Sequence, residues 1–317
     1  MSHARCRPSL PESRVSLTVA LIMMITSTIC WGSWANTYKF LPGYRFELFY
    51  WDYALGIFLT SLLFALPHGI ASVSVAAVVG GVIFNLANLL LVAAIELAGL
   101  AVAFPIAIGI ALVEGVVLSY ALQAKGNAML LAAGVAAALA AVVLDGRAYA
   151  QLPAGQQRTG RKGVIVCVVS GLLMGLWAPF VTRAMTGPHP LDPYSTAVWF
   201  TLGALASCAI FNVYLMRRPV VGGPVTFAGY VHAPPRAHWL GLAGGAIWGV
   251  GTVFNLVAAS RVGVPIAYAI GQSAPMVAAL WGLLAWHEFD GAPRRARVYL
   301  ALMFAFYILG IGLVASA

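Results

Sequence analysis

Ten long apolar segments are the feature of this sequence that most restricts its fold. Charged, polar or proline-rich breaks separate them, and each is close to the ~20 residues that an α-helix needs to cross a bilayer. The segments cover residues 15–38, 48–67, 73–95, 100–122, 127–144, 163–183, 193–216, 239–260, 264–286 and 297–316. Only 9% of all residues are charged, whereas soluble domains carry roughly 25%. The sequence therefore predicts an all-α integral membrane protein with ten transmembrane helices.

The first apolar segment, 15–38, is predicted to be a membrane helix rather than a signal peptide. It follows arginines, as a signal peptide would, but it is long enough to span the bilayer and no small-residue cleavage site follows it. Residues 1–14 then form an N-terminal tail.

The chain also repeats itself at about half its length. The stretch GGVIFNLANLLLVAAIELAGLAVAFPIAI from Gly80 aligns without gaps with GGAIWGVGTVFNLVAASRVGVPIAYAIGQ from Gly244, and GSWANTYK from Gly32 pairs with GLWAPFVTR from Gly175. Because five helices are an odd number, the second copy must enter the membrane from the opposite side, as in inverted-repeat transporters. We predict a first five-helix repeat at 15–144, a central loop at 145–162 and a second repeat at 163–317. The solute site is expected between the two repeats, near the membrane midplane.

The cations of the chain indicate its orientation. Twelve of the 18 Lys and Arg residues fall in the odd-numbered connections, including the central loop, and six fall on the opposite side. Positive charge favours the cytoplasmic side, so we predict a cytoplasmic central loop with both termini outside. Three of the opposing six cations lie in the N-terminal tail and conflict with this assignment. Cations placed between membrane segments also argue against nucleic acid as a partner.

Several short stretches resemble a known transporter family. They are GSW at 32–34, GGV at 80–82, NL at 88–89, GL at 99–100, QAKGN at 123–127, and the later RAHWLGLAGGAIWGVGTVFN and WGLLAWHEF. In this order they resemble the plant ureide permeases and their bacterial relatives in the sugar-porter branch of the drug/metabolite transporter superfamily. The resemblance implies two inverted five-helix halves and uptake of nitrogen-rich heterocycles, such as allantoin, uracil or xanthine, by proton symport.

The central loop departs from that resemblance. Plant ureide permeases resemble one another in a long loop with a phosphate-binding motif, whereas this loop is short and reads GQQRTGRKG from Gly155. Arg161 stands where such a motif has Lys, and Lys162 stands where it has a magnesium-binding hydroxyl. We predict a cationic loop, without a nucleotide, metal or other cofactor.

Proton symport requires a carboxyl group or histidine that exchanges a proton. Glu114 lies midway along the fourth segment among apolar residues, where removal from water disfavours the charged carboxylate. It is our first candidate for proton coupling, with a packing role as the alternative; the resemblance implies an uncharged residue there in ureide permeases. Asp52 is the second candidate, and pairing with Lys39 or Arg45 would make it either a gate or a structural ion pair.

Three further acidic residues are interpreted as solvated. Glu96 ends the third segment at the membrane boundary. Glu288 and Asp290 border a cationic stretch and are predicted to be solvated neighbours of Arg294 and Arg295.

Amides and tryptophans are the predicted solute-binding groups. Amides offer both donors and acceptors to a neutral solute, and indole rings offer flat faces for stacking. Amides also join membrane helices to each other, so each has a packing alternative. The candidates are Asn36, Asn85, Asn88, Asn255 and Gln272, together with Trp34 and Trp177, which recur in both repeats after a glycine.

Prolines are predicted to break three of the helices. Pro105, Pro179, Pro265 and Pro275 lie in the fourth, sixth and ninth segments, where a missing N–H frees a backbone carbonyl.

The most favoured function is proton-coupled uptake of a small neutral polar solute across the inner or plasma membrane, with membrane lipids around the protein. A sugar porter and a metabolite or drug exporter are alternatives within the superfamily, and a receptor or lipid-modifying enzyme is the alternative outside it. The absence of a catalytic motif in the sequence argues against an enzyme. The sequence leaves a homodimer open.

Overall fold

The structure is a computed structural model that describes residues 15–152 and 160–317. The predicted N-terminal tail, 1–14, and residues 153–159 of the predicted central loop lie outside the described residues. Within the described part the chain is helical, without strands.

The described helices number thirteen. They are α1 (Leu17–Ser33), α2 (Ala35–Lys39), α3 (Phe46–Ala65), α4 (Val75–Ala98), α5 (Leu100–Leu122), α6 (Ala128–Tyr149), α7 (Arg161–Thr186), α8 (Pro193–Arg217), α9 (Phe227–Val231), α10 (Pro235–Val262), α11 (Val264–Gly271), α12 (Ala274–Leu284) and α13 (Arg294–Ala315). Among the described residues, ten stretches are long and apolar enough to cross a membrane: α1 with α2 forms the first, α11 with α12 forms the ninth, and α9 forms none. The predicted ten-helix membrane protein is therefore confirmed.

Two helical stretches fall where the sequence predicted loops. Helix α6 continues past residue 144 to Tyr149, because the buried Asp145 does not interrupt the backbone hydrogen bonds of a helix. The short helix α9 lies in the proline- and glycine-rich connection, where the Thr226 hydroxyl accepts a hydrogen bond from the Gly229 N–H (3.3 Å). Cutting the sequence at charges thus placed the end of α6 too early.

The prediction that prolines break three helices was wrong for two of them. Helices α5 and α7 run continuously through Pro105 and Pro179. A membrane helix tolerates an internal proline when its neighbours support the freed carbonyl. The ninth span is broken at Gln272 and Ser273, between α11 and α12, and Pro275 lies in the first turn of α12.

Helix pairing in the molecule repeats with an offset of five spans. Helix α4 packs on α7 as α10 packs on α1, and α8 packs on α4 as α3 packs on α10. The pairs α6·α13 and α3·α8 map onto themselves under this exchange. This is the pattern expected of two similar five-helix units around a pseudo-twofold axis.

Single residues repeat the same contacts. A Cβ atom at Gly80 would lie 3.5 Å from the carbonyl oxygen of Trp177, and one at Gly244 would lie 3.4 Å from that of Trp34. These four residues are the aligned pairs of the two sequence copies. The boundaries 15–144 and 163–317 stay a prediction.

The turn after the third helix of each copy also recurs. Gly99 joins α4 to α5 with φ 73° and ψ 160°, and Gly263 joins α10 to α11 with φ 98° and ψ 149°. Both lie in the left-handed region that glycine adopts without strain. One glycine thus reverses the chain at the same place in each copy.

The alternation of spans gives the molecule two membrane faces. The connections α2–α3, α4–α5, α6–α7, α8–α10 and α12–α13 lie on one, which we call the central-loop face. Helix α1 begins and α13 ends at the other, which we call the terminal face.

Candidate functional site

A cavity of about 980 Å³ lies between the two five-helix units. Residues of α1, α2, α4, α5, α7, α10, α11 and α12 line it, together with the α12–α13 connection. It extends from about the middle of the spans to the central-loop face, where the lining residues Lys39 and Glu96 are exposed. This position matches the solute site expected between two inverted repeats.

Four aromatic rings form the inner end of the cavity, which we call the aromatic floor: Trp31, Phe84, Trp177 and Trp248. Trp248 stacks on Phe84 with ring centroids 4.5 Å apart and on Trp31 at 5.7 Å. Trp177 meets Trp31 edge-on at 6.4 Å. Mutual packing of four large rings closes the cavity toward the terminal face.

Three of the predicted amides line the cavity. Gln272 lies at the break between α11 and α12, and its side chain makes no hydrogen bond to any described residue. The Asn88 amide donates to the Tyr50 hydroxyl (3.3 Å). Asn36 donates to the Ser33 carbonyl (2.8 Å). Gln272 therefore offers both ends of its amide to a solute.

The two predicted tryptophans also line the cavity. Trp34 packs against Tyr53 with ring centroids 4.5 Å apart. The indole N–H of Trp177 is buried and has no hydrogen-bond partner among the described residues. Five predicted solute-binding residues thus converge on one cavity: Trp34, Asn36, Asn88, Trp177 and Gln272.

The other two amides lie outside the cavity lining. Asn85 donates to the Ser207 hydroxyl at 2.7 Å and joins α4 to α8. Asn255 donates to the Ala267 carbonyl at 2.9 Å and joins α10 to α11. Both therefore join two helices, which is the packing role that the sequence left open as an alternative to solute binding.

Charged and aromatic residues surround the mouth of the cavity. Lys39 pairs with Glu288, which also accepts a hydrogen bond from the Tyr149 hydroxyl (3.2 Å). The Lys39 ammonium lies 5.0 Å from the ring centre of Trp286, whose indole N–H donates to Asn36 (2.5 Å). The prediction of Glu288 as a solvated neighbour of the loop arginines was wrong, because the α12–α13 connection folds back against α2 and α6.

Glu96 also lines the cavity near the mouth. Its carboxylate makes no ion pair within the described part of the chain. The nearby Arg45 instead forms two hydrogen bonds to Glu47, at 2.6 and 3.0 Å, which raise the pKa of the arginine and keep it charged.

Asp52 lies away from the cavity in a hydrogen-bonded cluster. Its Oδ1 accepts from the Tyr230 hydroxyl (2.8 Å), and its Oδ2 lies 2.8 Å from His238 Nδ1. Burial, and then the contact with Asp52, raises the pKa of the Tyr230 phenol, which therefore stays a donor. The predicted pairing with Lys39 or Arg45 was wrong, because both cations have other acidic partners.

Glu114 lies at the contact between α5 and α7, in the half of α5 nearer the terminal face. A Cβ atom at Gly175 would lie 2.8 Å from Glu114 Oε2, and this oxygen is buried without a hydrogen-bond partner among the described residues. Glu114 is absent from the cavity lining. The predicted carboxyl is thus present within the membrane but closed off from the cavity.

The sequence interpretation missed several lining residues. Phe84 and Trp248 occupy the same position of the aligned repeats, so their shared aromatic character was a usable signal. Tyr149 fell in a segment predicted as loop, and Trp286 was not among the predicted solute-binding residues. Their role at the mouth depends on a chain fold that local pattern does not contain.

Within the described residues, no group of three or more His, Cys, Asp or Glu side chains has the geometry to hold a metal ion. The cavity lining itself consists of aromatic, aliphatic and amide groups, with charges at the mouth.

Comparison with known proteins places this geometry in a family. The ureide permease family model matches residues 154–317. Ureide permease 1 of Arabidopsis thaliana is 23% identical over 164 residues, which cover 49% of this chain and 42% of that protein. Transmembrane protein 144 homolog B of Dictyostelium discoideum is 26% identical over 157 residues, which cover 49% of this chain and 40% of that protein.

The matches extend over about two fifths of these curated relatives. A solved crystal structure matches 94% of this chain and 98% of its own, with a TM-score of 0.66 at 18% identity, and this likeness concerns the fold alone. The family match covers the second of the two copies, α7 to α13, together with the end of the central loop. The chain belongs to the ureide permease family.

Proposed function

We propose that this protein is a secondary transporter for proton-driven uptake of a small, neutral, nitrogen-rich solute, such as a ureide or a nucleobase, across the inner or plasma membrane. Membership of the ureide permease family supports this class of solute. The paired five-helix units and the cavity between them support a transport cycle that opens the cavity to each face in turn.

The chemistry of the inner cavity is the observation that carries the proposal. Trp34 and the aromatic floor provide flat apolar surfaces, and Asn88 and Gln272 provide amides. Lys39, Glu96 and Glu288 keep the charges at the mouth. A flat heterocycle with N–H and C=O groups at its edges would stack on the rings and exchange hydrogen bonds with the amides. A charged solute would find no counter-charge among the inner lining residues.

Glu114 is the carboxyl group that we assign to proton exchange. Its buried, unpartnered oxygen disfavours a permanent negative charge, because an ionised carboxylate in an apolar site lacks solvation. Asp52 has two hydrogen-bonding partners and is fixed at the N-terminal end of α3, which favours a structural role.

Transport by the purified full-length chain in liposomes tests the function. Radiolabelled allantoin and uracil should accumulate when an inward proton gradient is applied. When the gradient is collapsed, the solute concentration inside the liposomes should rise only to the concentration outside. Rhamnose and glucose are tested in parallel to examine the alternative of a sugar porter. Accumulation of a sugar instead, or uptake that ignores the proton gradient, would contradict the proposal.

Glu114→Gln tests the proton assignment in the same liposomes. Loss of the ionisable group should abolish gradient-driven accumulation while solute exchange across the membrane continues. Asp290→Asn is the matched control, since Asp290 is an exposed acid in the α12–α13 connection. Gradient-driven accumulation by Glu114→Gln at the normal level would remove Glu114 from the proton pathway.

A further inference from the structure

Two contacts that are equivalent in the repeats differ in this structure. When the gap-free alignment of Gly80 with Gly244 is continued, Glu114 aligns with Ala278. The alignment of GSWANTYK with GLWAPFVTR pairs Gly32 with Gly175. On one side of the pseudo-twofold axis, α5 meets α7 where Glu114 covers Gly175. On the other, α12 meets α1 at Gly32, and Ala278 lines the cavity.

The α1–α12 contact shows how the open side is arranged. A Cβ atom at Gly32 would lie 2.5 Å from the Ala274 carbonyl oxygen and 2.5 Å from Val277 Cβ. Helix α12 thus touches α1 through Ala274 and Val277, and the next residue, Ala278, faces the cavity. This contact lies in the half of the membrane that opens to the central-loop face.

The α5–α7 contact is the closed counterpart. Glu114 packs on Gly175, and a Cβ atom at Gly115 would lie 2.4 Å from the ring of Tyr268. The Tyr268 hydroxyl donates to the carbonyls of Ala111 and Met174, both at 3.1 Å, and so ties α5 to α7. This contact lies in the half of the membrane nearer the terminal face.

We propose that Glu114 lines the solute pathway in a second conformation, which opens to the terminal face, and that it takes up its proton from that face. In that conformation α5 and α7 adopt the arrangement that α12 and α1 have here, so that Glu114 occupies the place of Ala278. The proposal rests on the proposed transport function, and it explains why a carboxyl group assigned to proton exchange is absent from the present cavity.

The surroundings of Glu114 agree with exchange at that face. Among the described residues of the elements packed on α5, the Tyr268 phenol on α11 is the titratable group that faces Glu114, and α4, α6 and α7 place none against it. A carboxylate needs water or a counter-charge to ionise. Opening of the α5–α7 contact supplies water from the terminal face, and closing favours the protonated form.

Cysteine labelling tests the proposed exposure without any solute. The four natural cysteines are replaced by serine, and Glu114→Cys and Ala278→Cys are made separately. A membrane-impermeant maleimide is added to each side of the reconstituted protein. Glu114→Cys should react about tenfold or more faster from the terminal face, and Ala278→Cys from the central-loop face, since each conformation opens to one face.

Three further variants serve as controls. Ser72→Cys and Gly223→Cys lie in exposed connections on the terminal and central-loop faces and report the orientation. Leu112→Cys lies on α5 but is fully buried and should react from neither face. Reaction of Glu114→Cys from the central-loop face, or its failure to react while Ala278→Cys reacts, would overturn the proposal.

A transport measurement tests the proton step separately. Initial uptake by the unmodified protein should rise as the pH at the terminal face falls, and Glu114→Gln should lose this dependence. A pH response that persists in Glu114→Gln contradicts the proton step. If the unmodified protein transports none of the tested solutes, the proposed function fails, whereas the labelling result still decides the exposure of Glu114.

Discussion

Gln272 faces the cavity with an amide that makes no hydrogen bond within the described part of the chain. Asn85 is also buried, but its amide donates to Ser207 and its oxygen lies 3.7 Å from the Cys208 sulfur. The two side chains have the same chemistry and opposite uses: one is available to a solute, and the other holds α4 against α8.

Replacing Gln272 with isoleucine should therefore weaken solute binding. Isoleucine stands at the aligned position of the first repeat, Ile108, which lines the same cavity, so the larger apolar side chain suits this environment. Loss of one or two hydrogen bonds to the solute corresponds to about 1–3 kcal/mol, or roughly fivefold to 150-fold in apparent affinity. Competition binding on the purified variant measures the change.

Asn85→Ala is the matched control for this substitution. It should lower thermal stability, by about 0.6 to 2 kcal/mol for one interhelical hydrogen bond in a membrane, and leave solute affinity unchanged. A loss of affinity in Asn85→Ala as large as in Gln272→Ile would contradict the division between binding and packing amides.

At the scale of elements, glycines let equivalent helices approach closely. A Cβ atom at Gly81 would lie 1.8 Å from the Phe200 carbonyl oxygen of α8, and one at Gly245 would lie 2.1 Å from the Tyr53 carbonyl oxygen of α3. Both obstacles are backbone atoms, which cannot turn away as a side chain can. The α4·α8 and α10·α3 contacts therefore require glycine at these two positions.

Gly81→Ala and Gly245→Ala should each destabilise the protein. A methyl group added to a filled interface forces the two helices apart, which lowers the free energy of unfolding by about 1–3 kcal/mol or more. The control is Gly312→Ala on α13, where an added Cβ meets nothing within 4 Å. This substitution should leave the stability of the protein unchanged or raise it slightly. Thermal unfolding in detergent compares the three variants, and equal melting temperatures would contradict the proposed close approach.

The helices could be predicted from sequence because lipid imposes one rule on all of them. A span must be long, apolar and internally hydrogen-bonded, and this rule alone places ten helices close to their observed limits. It says little about helix ends and breaks. Helix α6 continues through Asp145 because an acidic side chain does not remove a backbone donor or acceptor. Helices α5 and α7 continue through prolines because neighbouring helices support them.

The candidate site could be predicted in part, for a reason that concerns the whole molecule. Trp34 and Trp177 were selected because both repeats carry a tryptophan at this place, and both side chains line the cavity. Asn85 and Asn255 were predicted to bind solute but lie outside the cavity lining. Residue type alone does not tell which face of a helix meets the cavity. The position of Glu288 at the mouth of the cavity depends on the α12–α13 connection, which folds back against α2 and α6. No sequence pattern predicts that contact.

A cross-link between α5 and α7 tests the proposed motion of the whole molecule. A Cβ atom at Gly171 on α7 would lie 3.0 Å from Ile110 Cβ on α5, slightly closer than the ~3.8 Å typical of a disulfide. A Cβ atom at Gly171 would also lie 2.8 Å from the Ala107 carbonyl oxygen, so α5 and α7 must separate slightly to admit it. Gly171→Cys/Ile110→Cys, in the protein without its natural cysteines, should then form a disulfide. That bond would hold α5 against α7 one helical turn away from the contact of Glu114 with Gly175.

Oxidation of this double variant should abolish uptake, and reduction should restore it. The control is Gly310→Cys/Ala138→Cys, whose Cβ atoms would be 3.5 Å apart across α6·α13. That pair of helices maps onto itself under the repeat exchange, so it need not open during the cycle, and its disulfide should leave uptake intact. Equal uptake by the oxidised α5–α7 variant and its reduced form would show that α5 and α7 stay together during transport, and the terminal pathway would then have to open between other helices.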